Sequence, residues 1–385
     1  MHKQLRVALL IETTSTWGSR LVEGIASYAN MVGGWQFYLE PHGKFESLSI
    51  PREWTGDGLI GRITSQALAD QILDRKLPAV NVSWYQFGRG FIPACTSDMQ
   101  ATANLCAKHL IDQGLPAIGY CANWRRQGFQ DLFAPKIANC AKQSDIAFYA
   151  FDPNDRLISR MNWHDQLTEL GRWLKGLPRP IGIVTIDHVV ARQVLEACRL
   201  NAISVPEEVA VLSVEFDQLA SDISLPHLSG VDGAPRKVGY EAAAMLIRLV
   251  KGESRPDEDQ LLPPAGIISR QSSEHLGLAD PIVAAALKYI RENTHRPLRV
   301  NDIVSQLAIS RRTLEQRFIQ SLGRSPATEI RRLRLERAKR LLVDTNVPLA
   351  TVAMNSGFEA VSVMTRLFRR EVKMSPSEYR EKGQL

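Results

Sequence analysis

From Leu5 to about Gly252, short apolar runs rich in β-branched residues alternate with longer stretches in which apolar residues recur every three or four positions. That alternation predicts βαβ units and a parallel sheet. Residues 6–11, 58–63, 79–83, 117–121, 146–151, 181–186 and 209–214 are the expected strands. The spacing of Leu21, Ile25, Tyr28 and Ala29, of Leu105, His109 and Leu110, and of Val190, Val194, Leu195 and Cys198 predicts helices between them. Seven strands exceed one small lobe, so the body is read as α/β, with two similar lobes and a cleft.

The pattern changes after a connector rich in proline and charge, residues 252–264, and a boundary near Asp280-Pro281. Val283, Leu287 and Ile290 stripe one helix, and Val300, Ile303, Val304 and Leu307 a second. Ala308-Ile309 fit a tight turn, and Ser310 is a good N-cap for a third helix carrying Leu314 and Phe318. Two short helices across such a turn make a helix-turn-helix. The arrangement repeats. Leu314, Phe318 and Ser325-Pro326 map fifty residues on to Met364, Phe368 and Ser375-Pro376, whereas Ala308-Ile309 map to Gly357-Phe358 at forty-nine. The second turn should therefore be one residue longer. Between the copies, residues 327–343 read as one long helix of about 25 Å at 1.5 Å per residue. A rod of that order can hold two reading helices about one DNA turn apart, near 34 Å.

Charge sharpens this division. Of the 385 residues, the last 105 carry 20 Lys and Arg against 10 Asp and Glu, while the first 280 carry 27 against 31, so the net +6 conceals a basic tail of +10. Such a tail points to a polyanion partner. The opening places an apolar run of five residues, 7–11, behind two basic ones, with no small-residue cleavage site after it. This reads as a strand rather than a signal peptide. No apolar run approaches the roughly 20 residues of a membrane span, so a cytoplasmic protein with no membrane partner is expected. The five cysteines lack Cys-x-x-Cys spacing and the eight histidines lack ligand spacing. Reduced buried thiols, no metal and no cofactor follow. Gly56-x-Gly58-x-x-Gly61 matches a dinucleotide motif on paper, but it runs into a strand instead of joining a strand to a helix. No nucleophile elbow, phosphate loop or kinase signature occurs, so no catalytic residue is assigned.

Ligands of open α/β sheets bind beyond the carboxyl ends of the strands. The loops there hold Thr13, Thr14, Ser15, Trp17, Ser19 and Arg20 after the first strand, Asn123, Trp124, Arg125 and Arg126 after the fourth, and Asp187 and Glu215 after the last two. Carboxylates, a guanidinium fork and an aromatic face suit a sugar, whose hydroxyls accept and donate hydrogen bonds while its C–H face stacks.

Pro226-His-Leu-Ser-Gly-Val-Asp with Val238-Gly239-Tyr240, and Asp98 with the Ala-rich segment to His109-Leu110 and Gly114, resemble the sugar-sensing domains of LacI/GalR regulators and periplasmic sugar-binding proteins. Ser310-Arg-Arg-Thr-Leu-Glu-Gln-Arg-Phe, Arg334-Leu-Glu-Arg-Ala-Lys-Arg-Leu-Leu, Gly357-Phe-Glu and Ser375-Pro-Ser-Glu-Tyr-Arg380 resemble the AraC/XylS DNA-binding domain. Joined in this order, they resemble regulators of the xylose-operon type. The resemblance implies a two-lobed sensor over residues 1–275, of periplasmic-binding-protein-like fold, and over 276–385 an all-α domain with two helix-turn-helix motifs joined by a long helix. It implies that Arg311, Arg312, Glu315 and Gln316 in the first copy, beside Ser310 and Thr313, and Ser362, Thr365 and Arg366 in the second face an operator. Arg331, Arg332, Arg369 and Arg370 are expected at phosphates or solvent. For the sensor it implies Arg125 and Glu215 as ligands of sugar hydroxyls, joined by Trp17 and Asp187, and the loop after the first strand adds Thr13 to the candidate ligands. Ile186 stands where relatives often carry Asn, Glu215-Phe216 replaces an acidic-amide pair, and Ser19 stands where Arg is usual, which leaves the identity of the sugar open. The implied partners are double-stranded DNA, a monosaccharide effector, RNA polymerase and a second copy in a homodimer. The alternatives are a ligand-independent repressor or architectural DNA-binding protein, and a sugar-modifying enzyme, which the missing motifs oppose.

Overall fold

In the computed structural model, residues 4–40, 48–122, 131–151, 162–275 and 280–383 are described. The chain divides into two units, Met1–His275 and Leu276–Leu385.

The first unit begins with β1 (Leu5–Leu10), α1 (Thr16–Val32), β2 (Trp35–Leu39), β3 (Gly58–Gly61), α2 (Gln66–Asp74), β4 (Ala79–Asn81) and β5 (Cys95–Ser97). It continues through α3 (Met99–Asp112), β6 (Ala117–Cys121), α4 (Ala134–Gln143), β7 (Ala147–Phe151), α5 (Trp163–Gly176), β8 (Ile181–Thr185), α6 (His188–Leu200) and β9 (Val209–Ser213). It closes with α7 (Gln218–Ile223), β10 (Ser229–Asp232), α8 (Pro235–Val250), β11 (Gln260–Leu262) and β12 (Gly266–Ile268).

Two sheets result. The first is parallel in the order β2-β1-β3-β4, and the second runs β12-β10-β9-β8-β6-β7, parallel except for the edge strand β12, whose Ile267 lies opposite Val231. The central strands β6, β8 and β9 are buried at every position. Helices cover both of their faces, which is why those strands read as unbroken apolar runs. The chain crosses between lobes three times. After β4 it passes through β5 to the second lobe, returns with α8, and leaves again through β11, which pairs with β5 in a small parallel sheet. Val238, Ala242 and Leu246 of α8 share one core with Leu21 and Ile25 of α1, so the last helix completes the first lobe. α1 and α8 approach through glycines, Gly24 facing the backbone of Arg236 and Gly239 that of Leu21.

All seven expected strands are present, together with five more among the described residues. β2 shows a mostly exposed, aromatic pattern; β5, β11 and β12 have three residues each, and β10 has four. β3 ends at Gly61, two residues before the expected end, which releases Arg62 into the loop beyond. The Gly58 to Gly61 segment is that strand, which agrees with discarding the dinucleotide motif. All five cysteines are free and buried, and burial pushes the Cys95 and Cys198 thiols up to about 12.

The second unit is helical: α9 (Pro281–Asn293), α10 (Val300–Leu307), α11 (Arg311–Leu322), α12 (Pro326–Asp344), α13 (Leu349–Asn355), α14 (Val361–Glu371) and α15 (Pro376–Gly383). Both predicted helix-turn-helix motifs form. Ala308 takes the left-handed conformation at φ 51°, and Gly357 takes it at φ 72°. From these residues the chain needs two steps to the N-cap Ser310 but three to the N-cap Ala360, the extra residue expected of the second turn. At Gly357 a Cβ would also press on the carbonyl oxygens of Thr294 and Arg296, so glycine is required there twice over. α12 spans 19 residues, one longer at each end than expected, and Pro326 occupies its first turn behind the N-cap Ser325. Its apolar face is divided. Ile330 and Leu333 join the core around Leu314 and Phe318, while Leu335, Ala338 and Leu342 join the core around Met364 and Phe368.

Candidate functional site

In the first unit a cavity of about 140 Å³ opens between the two lobes, beyond the carboxyl ends of both sheets. Trp17 and Arg20 reach it from the start of α1, Arg62 from the end of β3, and Trp84 and Tyr85 from the segment after β4. Asp187, Glu215 and Asp232 reach it from the ends of β8, β9 and β10.

Arg62 is the central cation. Its guanidinium bonds the buried carboxylate of Glu12 and lies 5.1 Å from the centre of the Trp17 ring. Burial pulls its pKa down, but Glu12 and Glu215 more than restore it, so the group stays charged. This arrangement fixes the Trp17 ring face by a cation–π contact from one side. Trp84 is fixed in turn, donating its indole N–H to Ser97 O at 2.8 Å and stacking on Phe133 of the second lobe at 5.9 Å. The cavity thus has aromatic walls and a polar rim.

The carboxylates have different local duties. Asp187 Oδ1 accepts from Val190 N at 2.9 Å and caps α6, and Asp131 accepts from the backbone of Phe133 and Ala134 and from Tyr120 Oη. Asp232 faces Arg20 at 3.8 Å. Glu215 has its backbone N–H and carbonyl held by Ser213 Oγ, and the residue lines the cavity in the field of Arg62. Beside the cavity the lobes are tied directly. Thr16 N donates to Asp217 Oδ2 at 2.9 Å, and Gln218 N donates to Thr16 Oγ1 at 3.0 Å. Burial raises the Asp217 carboxyl, but the backbone N–H groups of Ala220 and Thr16 outweigh it and hold the group below its usual range.

Of the expected ligands, Trp17, Asp187 and Glu215 line this cavity. Thr13 is half-buried but does not line it. Arg125, with Asn123, Trp124 and Arg126, lies outside the described residues. The sequence reading missed Arg62 and Glu12 because it ran β3 to Ile63 and passed over the residue after β1. The same strand-end rule would have found both. Among the described residues no group of His, Cys, Asp and Glu could hold a metal, and no helix is long and apolar enough to cross a membrane.

In the second unit, α11 presents Arg311, Arg312 and Gln316 to solvent, opposite the buried Leu314 and Phe318. Ser310 Oγ accepts from Thr313 N at 3.0 Å and meets Thr313 Oγ1 at 2.7 Å, so both residues belong to the cap. Arg311 Nε bonds Glu315 Oε1 at 2.9 Å along the exposed face. α14 exposes Ser362, Val363 and Arg366, with Thr365 half-buried. Arg331, Arg369 and Arg370 are exposed. Arg332 differs from them: it bonds the wholly buried Glu329 through Nε and Nη2, and Arg324 closes on the same carboxylate at 2.6 Å. Its guanidinium serves the fold of the first motif.

Residues 107–273 match the family of periplasmic binding protein-like domains, and residues 303–382 match a helix-turn-helix domain family. The helical end is 35% identical over 105 residues, 27% of this chain and 35% of the relative, to a putative AraC-like transcription regulator of Streptomyces antibioticus. Fold, cavity and paired motifs define the class: a DNA-binding transcription regulator in which a periplasmic-binding-protein-like domain precedes an AraC-type helix-turn-helix domain. The likeness extends end to end. The chain is 26% identical to the xylose operon regulatory protein of Escherichia coli K12, over 98% of this chain and 97% of that one. It also superposes on the solved structure of a xylose-binding transcription activator with a TM-score of 0.81 at 25% identity, covering 99% of each chain.

Proposed function

We propose that this chain is a cytoplasmic, sugar-responsive activator of a carbohydrate operon, with xylose or a related monosaccharide as effector. The observation that carries the reading is the aromatic-walled cavity of Trp17, Arg62, Asp187 and Glu215 on the same chain as two helix-turn-helix motifs. A pyranose or furanose would stack its C–H face on an indole and give its hydroxyls to the carboxylates and the Arg62 fork. A ligand held by both lobes favours the closed arrangement, and a shift from mostly off to mostly on requires several kcal/mol of differential affinity. In a homodimer that shift would alter how the two motif pairs meet an operator and recruit RNA polymerase. The likeness to a protein called a xylose operon regulator supports this choice of effector.

The test is a panel of pentoses and hexoses read by thermal melting and by operator affinity. At one hundred times its Kd, a sugar specific for the folded state adds about 2.7 kcal/mol. For a unit of this size that is a rise in Tm of roughly 5–10 °C. Operator affinity should change with the same sugar, and Arg62→Ala should remove both responses. Melting and operator affinity indifferent to every sugar would leave a ligand-independent repressor or architectural protein in its place. On the DNA side, Arg312→Ala should relax base preference at one position, at a cost of about 1–3 kcal/mol. Arg331→Ala should instead weaken all duplexes alike and flatten the salt dependence. Indistinguishable base preferences for the two variants would show the sorting of contacts to be wrong.

A further inference from the structure

The two reading helices differ at one position in a way the fold does not require. With Leu314 set against Met364 and Phe318 against Phe368, Thr313 of α11 corresponds to Val363 of α14. Thr313 is half-buried and tied to its N-cap through Ser310. Val363 has no such duty, because the N-cap of α14 is Ala360, which makes no side-chain hydrogen bond. Packing does not account for it either. Met364, Leu367 and Phe368 fill the core and Val361 packs against it, while Val363 is 42% exposed in the first turn beside the exposed Ser362 and three residues before the exposed Arg366. A β-branched residue is a poor choice for an exposed helical position. A local rule broken without structural compensation marks a position set by function.

We propose that Val363 reads a thymine in the second half-site, its isopropyl group resting on the C5-methyl group in the major groove, where that methyl is the apolar mark of a T·A pair. The inference rests on the DNA-reading role proposed above. DNA is the occupant favoured for this face because Arg366, Arg369 and Arg370 are exposed on the same helix and supply cations for the flanking phosphates. The two half-sites should therefore differ in kind. The first would be read by the polar ends of Arg312 and Gln316, and the second would depend on a methyl group.

The experiment uses the full chain and a duplex it selects from a random pool. Thymines of the second half-site are replaced one at a time by deoxyuridine, which removes only the methyl group. One position is expected to lose about fourfold in affinity, the worth of one buried methyl. Val363→Ala should lose a similar factor on the thymine duplex and bind both duplexes equally, with Tm unchanged because the side chain is exposed. Val363→Ile should keep the discrimination. Equal affinity of the natural chain for thymine and uracil at every position would overturn the proposal, as would discrimination that persists in Val363→Ala, or a clear fall in its Tm. Failure to enrich any duplex would remove the DNA-reading role, and this proposal with it.

Discussion

Glu329→Ala is expected to abolish operator binding by unfolding the first helix-turn-helix, although Glu329 touches no solvent and can touch no DNA. The carboxylate is wholly buried and closes two ion pairs, to Arg324 Nε at 2.6 Å and to Arg332 Nη2 at 2.8 Å. Arg324 follows α11 and Arg332 lies on α12, so the carboxylate ties the reading helix to the connecting helix. Removing the carboxylate leaves two guanidiniums that are 30% and 36% exposed without their counter-charge and opens a gap beneath them. Water screens part of the loss, so the cost falls below that of a fully buried pair, at about 2–3 kcal/mol. That is a large share of the roughly 5–15 kcal/mol that holds a domain together. In the full chain, hydrogen exchange of α9 to α11 and of the first half of α12 should accelerate toward the unfolded rate, while the second half of α12, packed in the other core, and the second motif keep their protection. Protection of α11 equal to that of the natural chain would show that the cluster is dispensable. The pH dependence has a definite sign. Burial pushes the Glu329 carboxyl up, but Arg332 and Arg324 outweigh it and hold the group below its usual range. A depressed carboxylate stabilises the fold fully above the unfolded value of about 4.3 and loses that contribution as pH falls through the folded value. Protection should thus be flat at neutral pH and fall below about pH 4, and Glu329→Gln should flatten the acid limb.

Glu329 also shows what the sequence could and could not convey. The helical unit was legible because each of its signals is local: Ser310 and Ser325 as caps, Pro326 in a first turn, and the fifty-residue echo of Leu314 and Phe318. The central strands β6, β8 and β9 were legible because burial on both faces writes a continuous apolar run. β2 was missed because an edge strand shares its faces with solvent, and β5, β10, β11 and β12 because three or four residues carry no period. At the cavity, strand-end position placed Trp17, Arg20, Asp187 and Glu215 among a dozen loop candidates, and the family resemblance singled out Trp17, Asp187 and Glu215 as ligands. The pairing of Arg62 with Glu12 joins residues fifty positions apart, and nothing between them in the sequence announces it. The same holds for Thr16 and Asp217, and for Arg332, which no local pattern separates from its exposed neighbour Arg331.

The largest effect expected in the first unit comes from adding a single methyl group to Gly239. In an ordinary helix interior, glycine to alanine stabilises by up to about 1 kcal/mol. Here the sign should reverse. A Cβ at Gly239 would fall on the carbonyl oxygen of Leu21, and one at Gly24 on that of Arg236, so α1 and α8 lie backbone against backbone at two reciprocal points. No flexible side-chain end is available to give way, so one helix must move. Overpacking of this kind costs about 1–3 kcal/mol, occasionally more, or roughly 3–10 °C in Tm for a unit of this size. The functional consequence follows from what α1 carries. Thr16, Trp17 and Arg20 lie in its first two turns, so a displaced α1 moves the indole away from Arg62 and strains the tie to Asp217. Gly239→Ala should therefore lower Tm and also weaken any sugar response in the protein that remains folded. Gly176→Ala at the end of α5, where a Cβ would meet nothing within 4 Å, serves as the control and should leave both unchanged. Equal tolerance of the two substitutions would show that α1 and α8 have room to separate, and that the cavity does not depend on their close approach.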